Sequence, residues 1–167
     1  MSTPQKHIEL RKPISTDGAA VHRLISQCPP LDTNSMYCNL LQCTHFADTS
    51  VAAIQDNELV GFVSGYIIPQ RADTLFIWQV AVSDKARGQG LAGRMLQHLL
   101  ERPFCKVVNH LETTITESNQ ASWALFERLA DNLGGELNKS IMFDREQHFA
   151  GEHDSELLAR IGPFKNT

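Results

Sequence analysis

Apolar and polar positions along this chain fall into two periodicities, one of strands and one of helices. Ile8-Glu9-Leu10-Arg11 alternates, as a short half-buried strand does. Thr16 or Asp17 then caps a helix to about Ser26 that turns Val21, Leu24 and Ile25 inward. Cys28-Pro29-Pro30-Leu31-Asp32 breaks that helix, and Asn34 or Ser35 starts another through Met36, Leu40 and Leu41 to about Cys43. Residues 50–54 and 59–68 read as two strands joined at Asp56-Asn57, a hairpin signal. After a loop over residues 69–73, Leu75-Phe76-Ile77-Trp78-Gln79-Val80-Ala81-Val82 forms a long apolar strand. Arg87-Gly88-Gln89-Gly90-Leu91-Ala92 leads from it into a helix over residues 91–102, with Leu91, Met95, Leu96, Leu99 and Leu100 on one stripe. A strand over 110–116, a helix over 120–133 ended by Gly134-Gly135, and a last strand over 137–143 follow. From residue 144 the chain reads as a polar extension carrying His148, His153, Asp154 and Glu156.

This order predicts an α/β protein with a mixed central sheet and helices on both sides. The 167 residues suit a single domain over 1–167, with a core at about 8–143 and an extension at 144–167. No apolar run approaches the roughly 18 residues of a membrane span, so no membrane is expected as a partner. The first thirty residues mix polar and charged groups, so no signal peptide is expected. Cys28, Cys38, Cys43 and Cys105 show neither a Cys-x-x-Cys pair nor zinc spacing with histidine. They read as reduced cytosolic thiols, and no metal is expected. A net charge of −4 argues against nucleic acid, which needs a basic face.

The chemistry concentrates at the turn over residues 87–92. A glycine-containing turn that opens a helix leaves several backbone N–H groups aimed one way, at the positive end of the helix dipole. Such a turn seats a phosphate group, Gly88 and Gly90 let the backbone approach it, and Arg87 adds charge. Neither Gly-x-x-x-x-Gly-Lys-Ser/Thr nor Gly-x-Gly-x-x-Gly is present, which excludes a P-loop and argues against a dinucleotide fold. Arg-x-x-Gly-x-Ala after a Val-Ala-Val strand resembles the acyl-CoA pyrophosphate loop of the GCN5-related N-acetyltransferases (GNAT). That resemblance implies the acyl-CoA N-acyltransferase fold and acetyl-CoA as co-substrate. It places the pantothenate arm on the backbone of Val80, Ala81 and Val82, and the diphosphate on Arg87, Gly88, Gln89, Gly90, Leu91 and Ala92. Asn119 matches an asparagine near the CoA arm, or is simply a helix cap. Where many members carry a thiolate-protonating tyrosine this chain has Phe126, leaving Tyr37, Tyr66, water and Cys43 as candidates.

A second resemblance is longer. The blocks Cys28-Pro29-Pro30-Leu31-Asp32-Thr33-Asn34-Ser35-Met36-Tyr37, Phe76 to Val82, Leu111-Glu112-Thr113-Thr114-Ile115-Thr116 and Arg160-Ile161-Gly162-Pro163 are similar to the L-2,4-diaminobutyrate acetyltransferases of ectoine biosynthesis. The resemblance implies acetylation of the 4-amino group of L-2,4-diaminobutyrate by a cytoplasmic homodimer, giving the precursor of the osmolyte ectoine. Asp32, Tyr37, Trp78, His153 and Glu156 are expected to line the acceptor pocket, Glu156 or His153 nearest the reacting amine. Glu112 is a further candidate base, acting through water. Asp32 could equally cap the next helix, Tyr37 and Trp78 could be core, Glu112 could be a surface salt bridge, and His153 and Glu156 could be a solvated pair on a mobile terminus. His153 and Glu156 would share a face if their segment is helical. Two other functions remain open, acetylation of a different amine or peptide N-terminus, and a catalytically silent acyl-CoA-binding module.

Overall fold

The computed structural model describes residues 7–165; residues 1–6 and 166–167, which the single-domain expectation also takes in, lie outside the described residues. Two compact units share the chain, one of residues up to Tyr66 together with Gln79–Arg102, the other of Ile67–Trp78 and the chain from Pro103 on.

In the first unit, β1 (Glu9–Arg11) pairs antiparallel with β2 (Val51–Gln55), and β2 with β3 (Glu58–Ile67). The β2–β3 turn is Asp56-Asn57, both residues at positive φ (51° and 63°), the twist that a two-residue hairpin requires. Helix α1 (Gly18–Ser26) buries Val21, Leu24 and Ile25 with Cys28, Cys43, Phe62 and Ala81 in one apolar cluster. Helix α2 (Met36–Gln42) is capped by Ser35, whose Oγ accepts from the Cys38 N–H at 3.0 Å. The next residue back from Phe62 is Gly61, and successive strand residues face opposite sides. A β-carbon there would stand 3.1 Å from Leu91 and Met95, so glycine lets α3 (Leu91–Leu100) close onto this face. Helices therefore cover both faces, α1 on the Phe62 side and α3 on the Gly61 side. Arg102, just past α3, donates to the carbonyls of Asp48 (2.9 Å) and Ser50 (2.6 Å) and ties the helix end to the start of β2.

Strand β4 (Thr74–Val82) contributes its last four residues to this unit and its first five to the second. There it runs parallel to β5 (His110–Thr116), from Thr74↔His110 to Ile77↔Thr113. Helix α4 (Gln120–Leu133) follows, capped by Asn119 and closed by Gly134 at φ +69°. The chain then forms β6 (Glu136–Phe143), turns through residues 144–155, and returns as β7 (Glu156–Gly162). β7 pairs antiparallel with both β5 and β6 and lies between them, so the order here is β4-β5-β7-β6. The sequence pattern placed the end of the folded core near residue 143, and β7 corrects that boundary. Glu156-Leu157-Leu158-Ala159-Arg160 is composed of good helix formers and does not alternate, so its own propensity conceals the strand. Its strand character comes from two neighbours that supply hydrogen bonds on both edges.

Candidate active site

The turn over residues 87–92 has the geometry its glycines predict. Gly88 and Gly90 sit at φ +77° and +69°, in the left-handed region where a β-carbon is strained. A β-carbon at Gly88, Gly90 or Gly93 would meet nothing within 4 Å, so the start of α3 is open above its backbone. The first helical bond runs from the Arg94 N–H to the Gly90 carbonyl, leaving the N–H groups of Leu91, Ala92 and Gly93 with no acceptor inside the helix. These donors and the positive dipole end fit a diphosphate. Arg87 stands beside them, its guanidinium paired with Asp84 at 2.7 Å and its Nε donating to the Val82 carbonyl at 3.3 Å. Both partners of the Arg87–Asp84 pair are exposed, so the pair costs little to open. Of the three β4 residues expected along the pantothenate arm, Ala81 is buried in the α1 cluster, while Val80 and Val82 are half-buried.

Ahead of α2, the capping role falls to Ser35, which releases Asp32 from it. Asp32 is exposed in the loop, and Tyr37, on the first turn of α2, is 69% exposed and so not a core residue. Gln79, the polar residue inside the apolar strand, was not singled out by the sequence. Its Nε2 donates to the Asp32 carbonyl at 2.8 Å, and its Oε1 accepts from Asn34 Nδ2 at 3.1 Å.

In the second unit, register assigns the side chains to faces. Glu112 pairs with Phe76 on β4 and with Arg160 on β7, so these three point to one side. Stepping by two along each strand adds Trp78, Thr114, Thr116, Leu158 and Glu156 to that side. On the opposite side Leu75, Ile77, Leu111, Ile115, Ala159 and Ile161 are buried and Leu157 is half-buried. Trp78 is 37% exposed and Glu156 half-buried, so the first side is the open one, and three of the sequence-predicted residues share it.

Those three are not equivalent. Glu112 is 1% exposed and gripped by the Arg71 guanidinium through both nitrogens, at 2.8 and 3.1 Å, and by Arg160. Burial pushes its carboxyl up, but the hydrogen bonds and charges of the two arginines outweigh burial and hold it below the usual range. A carboxylate so held is a poor proton acceptor, which argues against Glu112 as base, and its ion pairs are buried at the carboxylate and not the surface salt bridge that was the alternative. Glu156 opposes Thr116, four strand residues from the level of Glu112, or about 13 Å along the sheet. His153 lies in the turn before β7 and not on a helix with Glu156, so the shared helical face does not form. Its Nδ1 is 2.6 Å from the Asp154 carbonyl, which can only accept, and its ring packs on Phe149 with centroids 4.6 Å apart. In the neutral ring Nδ1 therefore carries the proton and Nε2 the lone pair.

The remaining candidates resolve by burial. Asn119 accepts the Ser122 N–H at 3.2 Å, the geometry of a helix cap. Phe126 is buried on α4 and supplies no proton. Cys28, Cys43 and Cys105 are buried, and desolvation pushes the Cys43 thiol up to about 11, with Asp17 adding to the rise and Arg11 opposing it. Burial raises the half-buried Cys38 as well, so neither of these two thiols is activated as a nucleophile. Among the described residues no group of three His, Cys, Asp or Glu could hold a metal ion, and no helix is long and apolar enough to cross a membrane.

Residues 19–130 match the Acetyltransferase (GNAT) family. The L-2,4-diaminobutyric acid acetyltransferase of Methylotuvimicrobium alcaliphilum is 61% identical over 158 residues, covering 95% of this chain and 92% of that protein. The protein of the same name from Halomonas elongata is 52% identical over 93% of this chain and 81% of its own. The diaminobutyrate acetyltransferase of Paenibacillus lautus, solved in complex with its substrate L-2,4-diaminobutyric acid and coenzyme A, is similar at a TM-score of 0.92 and 36% identity. That match covers 98% of this chain and 99% of the other.

Proposed function

This chain belongs to the GNAT acetyltransferase family, and from that premise we propose the reaction and the residues that divide its work. The chain transfers acetyl from acetyl-CoA to the 4-amino group of L-2,4-diaminobutyrate, giving N4-acetyl-L-2,4-diaminobutyrate. The observation that carries this is its likeness, along almost its whole length, to an enzyme held with both diaminobutyrate and coenzyme A.

The diphosphate of coenzyme A rests on the N–H groups at the start of α3, beside Arg87, Gly88, Gln89 and Gly90, and its pantothenate arm follows Val80 to Val82. Asn119 stands near that arm while capping α4. Asp32 takes the 2-ammonium of diaminobutyrate, and Tyr37 and Trp78 flank the short alkyl chain. With its 2-amino and carboxylate groups held, the distal amine extends toward the thioester. An ammonium with a pKa near 10.4 is neutral in fewer than about one molecule in a thousand at pH 7, a deficit of about 4–5 kcal/mol that a base must offset. Glu156 removes that proton, with His153 Nε2, in the turn just before β7, as the other acceptor. The amine then attacks the acetyl carbon directly, the C–S bond breaks, and the thiolate leaves with a proton from Tyr37, Tyr66 or water. Direct transfer is supported by the burial of three of the four thiols.

The working enzyme is a cytoplasmic homodimer, and its product feeds synthesis of the osmolyte ectoine in osmoprotection, as the resemblance implies. The test is thiol release from acetyl-CoA across a panel of diaminobutyrate, a polyamine, an aminoglycoside and a peptide with a free N-terminus. Diaminobutyrate is expected to combine the lowest KM with the highest rate. A better rate with another amine contradicts the acceptor assignment, and binding of acetyl-CoA with no thiol released by any amine makes the chain a silent binding module.

A further inference from the structure

Residues 28–34 run from the end of α1 to the cap of α2, and their hold on β4 is uneven. At one end the Cys28 thiol donates to the Val82 carbonyl at 3.4 Å, and a thiol is a weak donor. At the other end both atoms of the Gln79 amide are used, the nitrogen on the Asp32 carbonyl and the oxygen on the Asn34 side chain. The backbone of Gln79 is itself fixed, since its N–H donates at 3.2 Å to the hydroxyl of Ser64, a β3 residue with no exposure. One side chain thus brackets Thr33 from both sides, immediately before the helix that carries Tyr37.

We propose that Gln79 is a positioning residue for the acceptor. It sets where Asp32 and the first turn of α2 sit on the strand, and so governs binding of the diamino acid and not of coenzyme A. The inference rests on the acceptor assignment made for Asp32 above. The bracket needs a donor and an acceptor on one planar group, and a carboxylate of the same shape has no donor. In Gln79→Glu an oxygen would face the Asp32 carbonyl oxygen and repel it, while the bond from Asn34 stays intact. In Gln79→Met both bonds vanish with little change in volume.

The experiment measures KM for each substrate, kcat and Tm on the full chain for Gln79→Glu, Gln79→Met, Asn34→Ala and the Gln79→Met/Asn34→Ala pair. Gln79→Glu and Gln79→Met are expected to raise KM for diaminobutyrate roughly tenfold or more, with KM for acetyl-CoA changed by less than about twofold. Asn34→Ala moves the same KM by a smaller factor and adds little to Gln79→Met, because the two residues share one bond. An unchanged KM for diaminobutyrate in these variants overturns the proposal. So does an equal rise in both KM values with a fallen Tm, the mark of a general brace. Asn34→Ala stands on the loop side and decides the matter if the strand variants do not fold. Failure of the unaltered protein to acetylate diaminobutyrate removes the acceptor assignment instead, and is visible in the same assay.

Discussion

Glu156→Gln is expected to lower kcat/KM for diaminobutyrate by about 10²–10⁴-fold near neutral pH, with the affinity for coenzyme A unchanged. Glu156 is the first residue of β7, opposite Thr116, and glutamine preserves its volume and its place in both ladders. Its charge and its capacity to take a proton are lost. The variant must then wait for the small fraction of amine already neutral, so its rate climbs steeply with pH toward the pKa of the free amine near 10. The unaltered enzyme rises less over that range because its base supplies the neutral amine. The measurement is a pair of pH–rate profiles together with calorimetric titration of coenzyme A. His153→Ala read in the same way separates the two candidates. If it produces the large loss and the steep profile while Glu156→Gln leaves both unchanged, histidine is the base.

Glu112→Gln is expected to reduce stability by about 2–3 kcal/mol and Tm by roughly 5–10 °C. The amide keeps one acceptor but turns N–H donors toward guanidinium donors, and it leaves two positive charges facing each other without the carboxylate between them. Removing one partner of a fully buried ion pair costs about 3–5 kcal/mol. Arg71 and Arg160 are 47% and 33% exposed in their side chains, and water screens part of that cost. The folded carboxyl titrates below its ordinary value of 4.5, so its contribution is complete above that pH and is lost as pH falls through the folded value. Thermal unfolding across pH tests both statements. The gap between the two proteins is wide at pH 7 and narrows on acidification below about 4.5. A gap that is absent at pH 7, or one that widens in acid, contradicts the assignment.

The fold was legible wherever burial follows a simple period. The apolar stripe of α3, the cap and stop of α4, and Asp56-Asn57 between β2 and β3 all carry local signals, and each element formed within a few residues of its expected place. β7 was hidden because its residues prefer helix and its strand character comes from partners outside its own segment, on β6 as in Asn138↔Arg160 and on β5 as in Glu112↔Arg160. The site divides along the same line. The left-handed turn over residues 87–92 is a property of one continuous segment, so its glycine spacing revealed it. Gln79 gave no signal, since an amide within a strand looks incidental until the fold sets it against residues 45 and 47 positions earlier. Glu112 was noticed as a carboxylate, but its role depends on Arg71 and Arg160, 41 and 48 positions distant, whose arrival converts a candidate base into an anchor.

Everything rests on which nitrogen receives the acetyl group. Purified protein incubated with diaminobutyrate and acetyl-CoA carrying a ¹³C-labelled carbonyl gives a product whose labelled carbon can be correlated by NMR with the neighbouring N–H and CH₂ protons. The expected product shows the label beside the terminal methylene of the 4-amino position, with one free thiol formed per acetyl transferred. A label on the 2-amino group, or loss of acetyl-CoA to hydrolysis alone, contradicts the account.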